Sequence, residues 1–445
     1  MGPAAAPALH ASLAWPDGSG RGRGLHRAAG PWLWAPTGPP GAGRHSAAPP
    51  GTRRMSGAAT VRTVRLRRVQ LQLGMVYVSS MYVMATTERT VIEVTLADGT
   101  VGLGETLGYP DCYDATTRLA PSLVGRDAMD RAGFRRSFAR SVFDNRQGRI
   151  GWSAFAGLEL ALWDAAGKRL GLPLRALMGA PGPVPPVPLC CPLPAVALAQ
   201  PASRAEIAAG YRDLSRTAAL GELAAELSAR HGFRAFKYKS AASSADWDVA
   251  AMGALREALG PEAAIRIDPN AGWPTAAAVR LAERLRPHTP EWLEDPCDDR
   301  EGLARLRGAT GMTVATNMAV IQPDHIPAAL RLPGADVWLG DVFMWGGIEG
   351  WRDMAAAAAL FGVEVALHSL FETGIATAAN LHLAAAHPAV RRATDCGAAW
   401  LSSDVVTGLG PIRDGAMAVP DGPGLGVALD EAATAAVTTE ERRIT

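Results

Sequence analysis

The sequence predicts an α/β protein, a barrel of alternating strands and helices preceded by a smaller α+β unit. Three observations carry this. From Val187 onward, eight short apolar segments alternate with helix-length stretches, the pattern of a parallel sheet, and eight such units suit a closed β/α barrel. A polar residue closes nearly every one of those segments. Before them, residues 61–180 pass from alternating strands to a long helical stretch.

Residues 1–54 hold six Arg against one Asp, and 31 of the 54 are Gly, Pro or Ala. They lack apolar periodicity and the continuous apolar stretch of a secretory signal. They are expected to be disordered, or to lie upstream of a true start at Met55. Val64–Leu73 and Thr90–Leu96 alternate as strands, and Asp98-Gly99 marks a hairpin into Val101–Glu105. In Gly151–Leu170, residues Phe155, Leu158, Leu162, Ala165 and Ala166 fall on one helical face, and Gly171-Leu172-Pro173 ends the helix. The Pro-rich stretch Ala180–Pro192 is the boundary to the barrel. The eight barrel strands are expected at Val187–Cys191, Ala235–Ser240, Ile265–Asn270, Glu291–Asp295, Thr313–Asn317, Val337–Asp341, Val363–Ser369 and Ala393–Cys396. Two more strand-like pieces, Ala416–Pro420 and Leu425–Leu429, are expected to return to the first unit. The units are therefore residues 55–180, 181–404 and 405–445.

Composition narrows the partners. With 48% hydrophobic and 20% charged residues, a fully disordered chain and a coiled coil are excluded. The formal net charge is +1, and residues 1–54 carry +5 of it, so the remainder carries −4 and does not suggest nucleic-acid binding. No apolar run approaches the ~18 residues of a membrane span. Five Cys without CxxC spacing read as free thiols of a reducing compartment. A cytoplasmic protein is expected, with neither nucleic acid nor membrane as partner.

The strand-end residues carry the chemistry. Lys239 is followed by Asp268, Glu294, Asn317, Asp341, His368 and Asp395 at steps of 29, 26, 23, 24, 27 and 27 residues. One βα unit per step puts these side chains at one height, at the carboxyl ends of the strands, where barrel active sites lie. Asp268, Glu294 and Asn317 come from three consecutive strands and offer only oxygen, which suits Mg²⁺ better than Zn²⁺. Asp-Pro-Asn and Glu-Asp-Pro are also turn formers; the spacing is what favours a metal. Of 44 basic residues only Lys168, Lys237 and Lys239 are lysines. Two of these lie two apart on one strand and so face the same way. Side by side, two ammonium groups lower each other's pKa, which suits one to act as base and the other as electrostatic clamp. A carboxylate at Asp341 that fixes the tautomer of His368 makes an acid/base dyad. The lysine and histidine strands are expected on opposite sides of the barrel, across a metal-bound substrate. This arrangement suggests removal of a proton α to a carboxylate, with the metal and Lys237 stabilising the enolate. Glu372 reads as an acid in the first turn of a helix.

The strings Phe236-Lys237-Tyr238-Lys239, Asp268-Pro269-Asn270 with Trp273, Glu294-Asp295-Pro296-Cys297, Ala315-Thr316-Asn317-Met318, Asp341 and His368-Ser369 together resemble the enolase superfamily. Among its mandelate racemase/muconate lactonizing types, they are most similar to the acid-sugar dehydratases near glucarate dehydratase. Glu159–Asp164 and Gly102–Glu105 look like that family's capping domain. The resemblance implies a modified (β/α)8 barrel, (β/α)7β, with a cap built from the N-terminal segment and the C-terminal tail. It implies Mg²⁺ on Asp268, Glu294 and Asn317. It implies Lys239 as base on one face with Lys237 as its electrostatic partner. His368, oriented by Asp341, would be base on the other face and the acid that helps a β-hydroxyl leave. Asn270 and Asp395 match positions lining the substrate site, and Tyr82 is a candidate cap-loop contact. The implied substrate is a small-molecule sugar acid, and a homo-oligomer is expected. Three segments depart from the subgroup. The cap loop Val78–Met84 has no His, Leu370–Gly374 is closer to racemase-like relatives, and Cys190-Cys191 replaces the usual aromatic. The reaction class is therefore better fixed than the substrate. A racemase or epimerase using the same two bases is the alternative reading, and a non-catalytic metal- and acid-binding barrel is the third.

Overall fold

The computed structural model describes residues 57–142, 148–195 and 216–445. The expectation for residues 1–54 lies outside the described residues. Strands β1 (Val61–Val78), β2 (Val83–Leu96) and β3 (Val101–Leu107) form an antiparallel meander. In β1, Val64 and Leu66 are buried in one phase and Val69, Leu71 and Leu73 in the other, the alternation switching where the register with the C-terminal strand shifts between Arg68 and Val69. The expected hairpin is present, with Gly99 at φ +86° and the Leu96 N–H donating to the Thr100 carbonyl at 2.8 Å.

The helix Gly148–Leu170 lies on this sheet, and here the one-sided reading is corrected. Every residue from Ser153 to Ala166 is buried. Phe155, Leu158, Leu162 and Ala165 pack with Val64, Leu66, Ile92 and Val94 of the sheet. Leu160 and Trp163, on the other face, pack with Trp338, Val342, Trp345 and Ile348 of the barrel. A helix enclosed between two layers is apolar all round. Its approach to β3 is so close that a Cβ at Gly102 or Gly104 would strike the backbone carbonyl of Ala161 or Gly157. Two buried acids tie it down. Asp164 accepts from the Leu103 and Leu425 N–H groups, both at 2.7 Å, and Glu159 accepts from the Trp163 indole at 2.7 Å and the Ile348 N–H at 2.9 Å.

The barrel strands are β4 (Val187–Leu193), β5 (Ala235–Lys239), β6 (Ala264–Asp268), β7 (Trp292–Glu294), β8 (Val314–Thr316), β9 (Val337–Gly340), β10 (Glu364–Leu367) and β11 (Thr394–Asp395). They are parallel in the order β10-β9-β8-β7-β6-β5-β4-β11, and the seam between β10 and β11 is bridged at Val365–Val390. Period two sorts their side chains cleanly. Phe236, Tyr238, Ile265 and Ile267 face outward into the core under the helices. Trp292, Ala315, Val337, Leu339 and Ala366 form a separate cluster inside the barrel.

The C-terminal expectation holds for the second piece through contacts at Gly424 and Leu425 and is corrected for the first. Strand β13 (Ala416–Met417) pairs with barrel strand β4, and β14 (Ala428–Leu429) pairs with β12 (Val406–Thr407). Neither strand joins the cap's sheet, although the segment before β14 does reach the cap: the Leu425 N–H donates to Asp164 at 2.7 Å and the Gly424 carbonyl accepts from the Leu174 N–H at 2.7 Å. The strand that joins that sheet is β15 (Thr438–Ile444), which pairs antiparallel with β1. Its run Thr-Thr-Glu-Glu-Arg-Arg-Ile hid it, because an edge strand with an outward ionic face has no apolar alternation. Instead Arg65 donates to Glu441 at 2.9 Å and, with Arg67, to Glu431. All five cysteines are free and buried. Among the described residues no helix is long and apolar enough to cross a membrane.

Candidate active site

The expected strand-end residues lie where the hydrogen-bonded ladders stop. Lys239, Asp268 and Glu294 are the last residues of β5, β6 and β7, while Asn317, Asp341 and His368 each come one residue after β8, β9 and β10. All six are buried. The backbone changes direction at this rim. Asn270 and Asp295 take positive φ values of +49° and +37°, and Asp295 uses its carboxylate to accept from the Asn317 N–H at 2.7 Å and the Thr316 hydroxyl at 2.5 Å.

Lys239 donates to Asp268 and, at 3.3 Å, to the Asn270 side-chain carbonyl. Lys237 donates to Glu294 at 2.9 Å and also to Asp395. The Asn317 amide lies 2.5 Å from Glu294 Oε1. His368 Nδ1 is 3.0 Å from Asp341 Oδ2, and Asp341 Oδ1 is held by the N–H groups of Phe343 and Met344 at 2.9 and 2.7 Å. With Asp341 accepting at Nδ1, the Nε2 edge of the ring is left to face the site. Glu294, His368 and Asp395 bring ligand atoms within 4.8 Å of one another. The Tyr82 phenol lies close enough to act on the charge of Lys239, and the cap loop touches the barrel rim where Ser80 donates to the Pro269 carbonyl at 2.7 Å.

Three expectations need correction. The first is the equal height of all seven residues. Asp395 is bonded to Lys237 and to Arg266 at 2.9 Å, the layer beneath Lys239 and Asp268. Strands in a barrel are staggered, so equal sequence spacing does not guarantee equal depth. The second is the pair of lowered lysines. Burial does press Lys237 and Lys239 down, and Lys237 opposes the charge on Lys239. Asp395 and Glu294 outweigh this at Lys237, and Asp268 does so at Lys239, so both ammonium groups are raised above the ordinary lysine range. Conversely, burial alone would raise Glu294, but Lys237, Lys239 and His368 hold it well below the usual carboxylate range. The third is diametric opposition. Between β5 and β10 lie β4 and β11 on one side and β6 to β9 on the other, so the bases face each other across the mouth off-centre.

Glu372 also differs from its reading. It precedes the Thr373 N-cap of the helix Gly374–Ala386 and accepts from Ser369 at 2.9 Å, the Leu370 N–H at 2.8 Å and Asn380 at 3.1 Å. The acid at that helix's start is Glu105 of β3, which accepts from the Thr373 and Ala376 N–H groups at 2.9 and 3.0 Å. Burial lifts its carboxyl to about 7. Through Glu105 the cap fixes the segment that follows His368. No local sequence signal reveals this, because the partners are 268 residues apart.

This geometry has known counterparts. Residues 61–179 match the Mandelate racemase / muconate lactonizing enzyme, N-terminal domain, and residues 219–433 match the Enolase C-terminal domain-like family. A probable glucarate dehydratase of Streptomyces coelicolor is 33% identical over 364 residues, which is 77% of this chain and 83% of that protein. The chain belongs to the enolase superfamily. Other members resemble it at lower identity: muconate cycloisomerase 1-1 of Acinetobacter lwoffii is 28% identical over 354 residues, 76% of this chain and 86% of that one. A solved superfamily structure, an enolase of Thermobispora bispora in complex with magnesium and formate, superposes with a TM-score of 0.75 at 32% identity, covering 85% of this chain and 92% of the other. A probable dehydratase and a cycloisomerase are thus both similar to this chain over three quarters of its length.

Proposed function

We propose that the protein is a divalent-metal-dependent acid-sugar dehydratase that takes the proton α to a carboxylate and expels the β-hydroxyl, leaving a 2-keto-3-deoxy acid after tautomerisation. The observation that carries the reading is the pairing of two independent bases, Lys239 on β5 and the His368–Asp341 dyad after β10, around one set of buried oxygen donors.

Asp268, Glu294 and Asn317 fit a hard cation. They offer two carboxylates and one amide, and a half-turn of the Asn317 amide presents its oxygen to the same point as Glu294. When bound there, Mg²⁺ supplies positive charge to the substrate carboxylate as its α-proton leaves. The two lysines divide their work by partner number. Lys237 is held by two carboxylates, Glu294 and Asp395, and stays an ammonium clamp on the developing enolate. Lys239 has one carboxylate partner, Asp268, which a bound cation would share, so of the two lysines it is the one suited to act as base. His368 takes the proton from the opposite face, or returns one to the departing hydroxyl. Asn270 and Tyr82 flank Lys239 and would contact the substrate.

A screen of mono- and diacid sugars with Mg²⁺ and keto-acid detection tests this. Keto acid from at least one acid supports the dehydratase. Exchange of the α-proton with deuterated solvent, without loss of water, would replace it by the racemase or epimerase reading, which the racemase-like Leu370–Gly374 segment favours.

A further inference from the structure

Two buried side chains beneath the mouth take no part in that chemistry. Arg266 is on β6 two residues before Asp268, and Trp292 is on β7 two residues before Glu294, so both point into the barrel one layer down. Arg266 is completely buried. Its guanidinium carbon sits 3.8 Å from the centroid of the Trp292 ring. Its nitrogens donate to Asp395 at 2.9 Å, to the Ala393 carbonyl at 2.8 Å and to Glu291 at 2.7 Å. The Trp292 indole N–H donates to Glu294 at 3.1 Å. Lys237 closes the circuit by donating to both Glu294 and Asp395.

We propose that Arg266 is a positioning residue: bonded through one nitrogen to Asp395, anchored by the others to the Ala393 carbonyl and Glu291, and placed over Trp292, it sets Lys237 from one side and the metal-ligating oxygens of Glu294 from the other. The inference rests on the metal-dependent reading above. Two physical arguments support it. First, Lys237 and Lys239 face Asp268, Glu294 and Asp395, and Arg266 stands between Asp395 and a further carboxylate, Glu291. Without Arg266, Asp395 would have Lys237 as its main counter-charge and would draw that ammonium down and away from the substrate. Sharing Asp395 leaves Lys237 free to act upward. Second, a planar guanidinium that lies over an indole and donates to three separate acceptors fixes them together, which a point charge does not do. Groups that orient a metal's ligands typically change metal affinity or activity by about 10–100-fold.

The bland alternative is that Arg266 only neutralises Asp395, and Arg266→Lys separates the two, because it keeps the charge and loses the planar guanidinium over the indole. Mn²⁺ binding, read by electron paramagnetic resonance without substrate, is the first measurement. The positioning role predicts a Mn²⁺ dissociation constant about 10–100-fold weaker in Arg266→Lys, and a lower kcat with KM little changed on the acid the screen identifies. A melting temperature shift with wild-type Mn²⁺ affinity and kcat would overturn it. Trp292→Phe provides a second test should the lysine variant fail to fold. It keeps a ring and removes the N–H that holds Glu294, so it should also weaken Mn²⁺ binding, and wild-type affinity there would overturn the role. Mn²⁺ binding with no keto acid from wild-type protein would sink the dehydratase assignment alone, since the comparison of variants needs no turnover.

Discussion

The β7–β10 side of the barrel interior is filled by Trp292, Ala315, Val337, Leu339 and Ala366, while the side formed by β5, β6 and β11 holds Lys237, Arg266 and Asp395. Both halves are buried, and both support polar groups at the rim. They do so by different means. The apolar half is held by close packing, which tolerates no missing volume, and within it only Trp292 reaches charged groups, Glu294 and Arg266. The ionic half is held by directional bonds between charges that are expensive to bury and more expensive to leave unpaired. Beneath the rim, packing volume therefore dominates one half and charge pairing the other.

Substitutions can test that division. The largest effects belong to the rim. Lys239→Ala is expected to lower turnover by about 10²–10⁴-fold on acids of one α-configuration, and His368→Ala on the opposite one, by steady-state assay of epimeric substrates. Unchanged rates in both would remove the mechanism. Chelation should abolish activity and added Mg²⁺ restore it; activity that survives exhaustive chelation would contradict the assigned ligands. In the apolar half, Leu339→Ala should cost about 2–5 kcal/mol in urea unfolding, with kcat within about twofold of wild type. A comparable loss of kcat would show that the two halves are not separable.

The smallest expected effect lies at the cap–barrel junction. Burial lifts Glu159 to about 7, against the hydrogen bonds from Ile348, Glu349 and Trp163, and the charged groups Arg131 and Glu349 act on the same site. A carboxyl raised above its unfolded value of 4.5 favours the fold while protonated, and that contribution is lost as pH rises towards 7. Glu159→Gln should flatten the fall in stability between about pH 4.5 and 7 in urea titrations. An unchanged slope would place the titration elsewhere.

How legible this was from the sequence differs by level. The eight barrel strands were readable because short apolar runs alternate with helices, and the structure shortens all but the first of them by one or two residues at the carboxyl end. The rim residues were readable because chemistry-bearing side chains recur once per unit. Arg266 and Trp292 were not. An Arg flanked by two isoleucines gives no sign of which face it takes until the inward direction of Asp268 fixes the register. The full burial of Glu159 and Asp164 was hidden for a similar reason: their partners, Ile348 and Leu425, are 189 and 261 residues away. Strand β15 was lost because its pairing rests on Arg65–Glu441 contacts between exposed faces.

A crystal structure of the protein grown with Mg²⁺ tests the central claim most directly. The expected density is one ion bound by oxygens of Asp268, Glu294 and Asn317, with Lys239 and His368 on either side. An ion held instead by Glu294, His368 and Asp395, or no ion at saturating Mg²⁺, would contradict it.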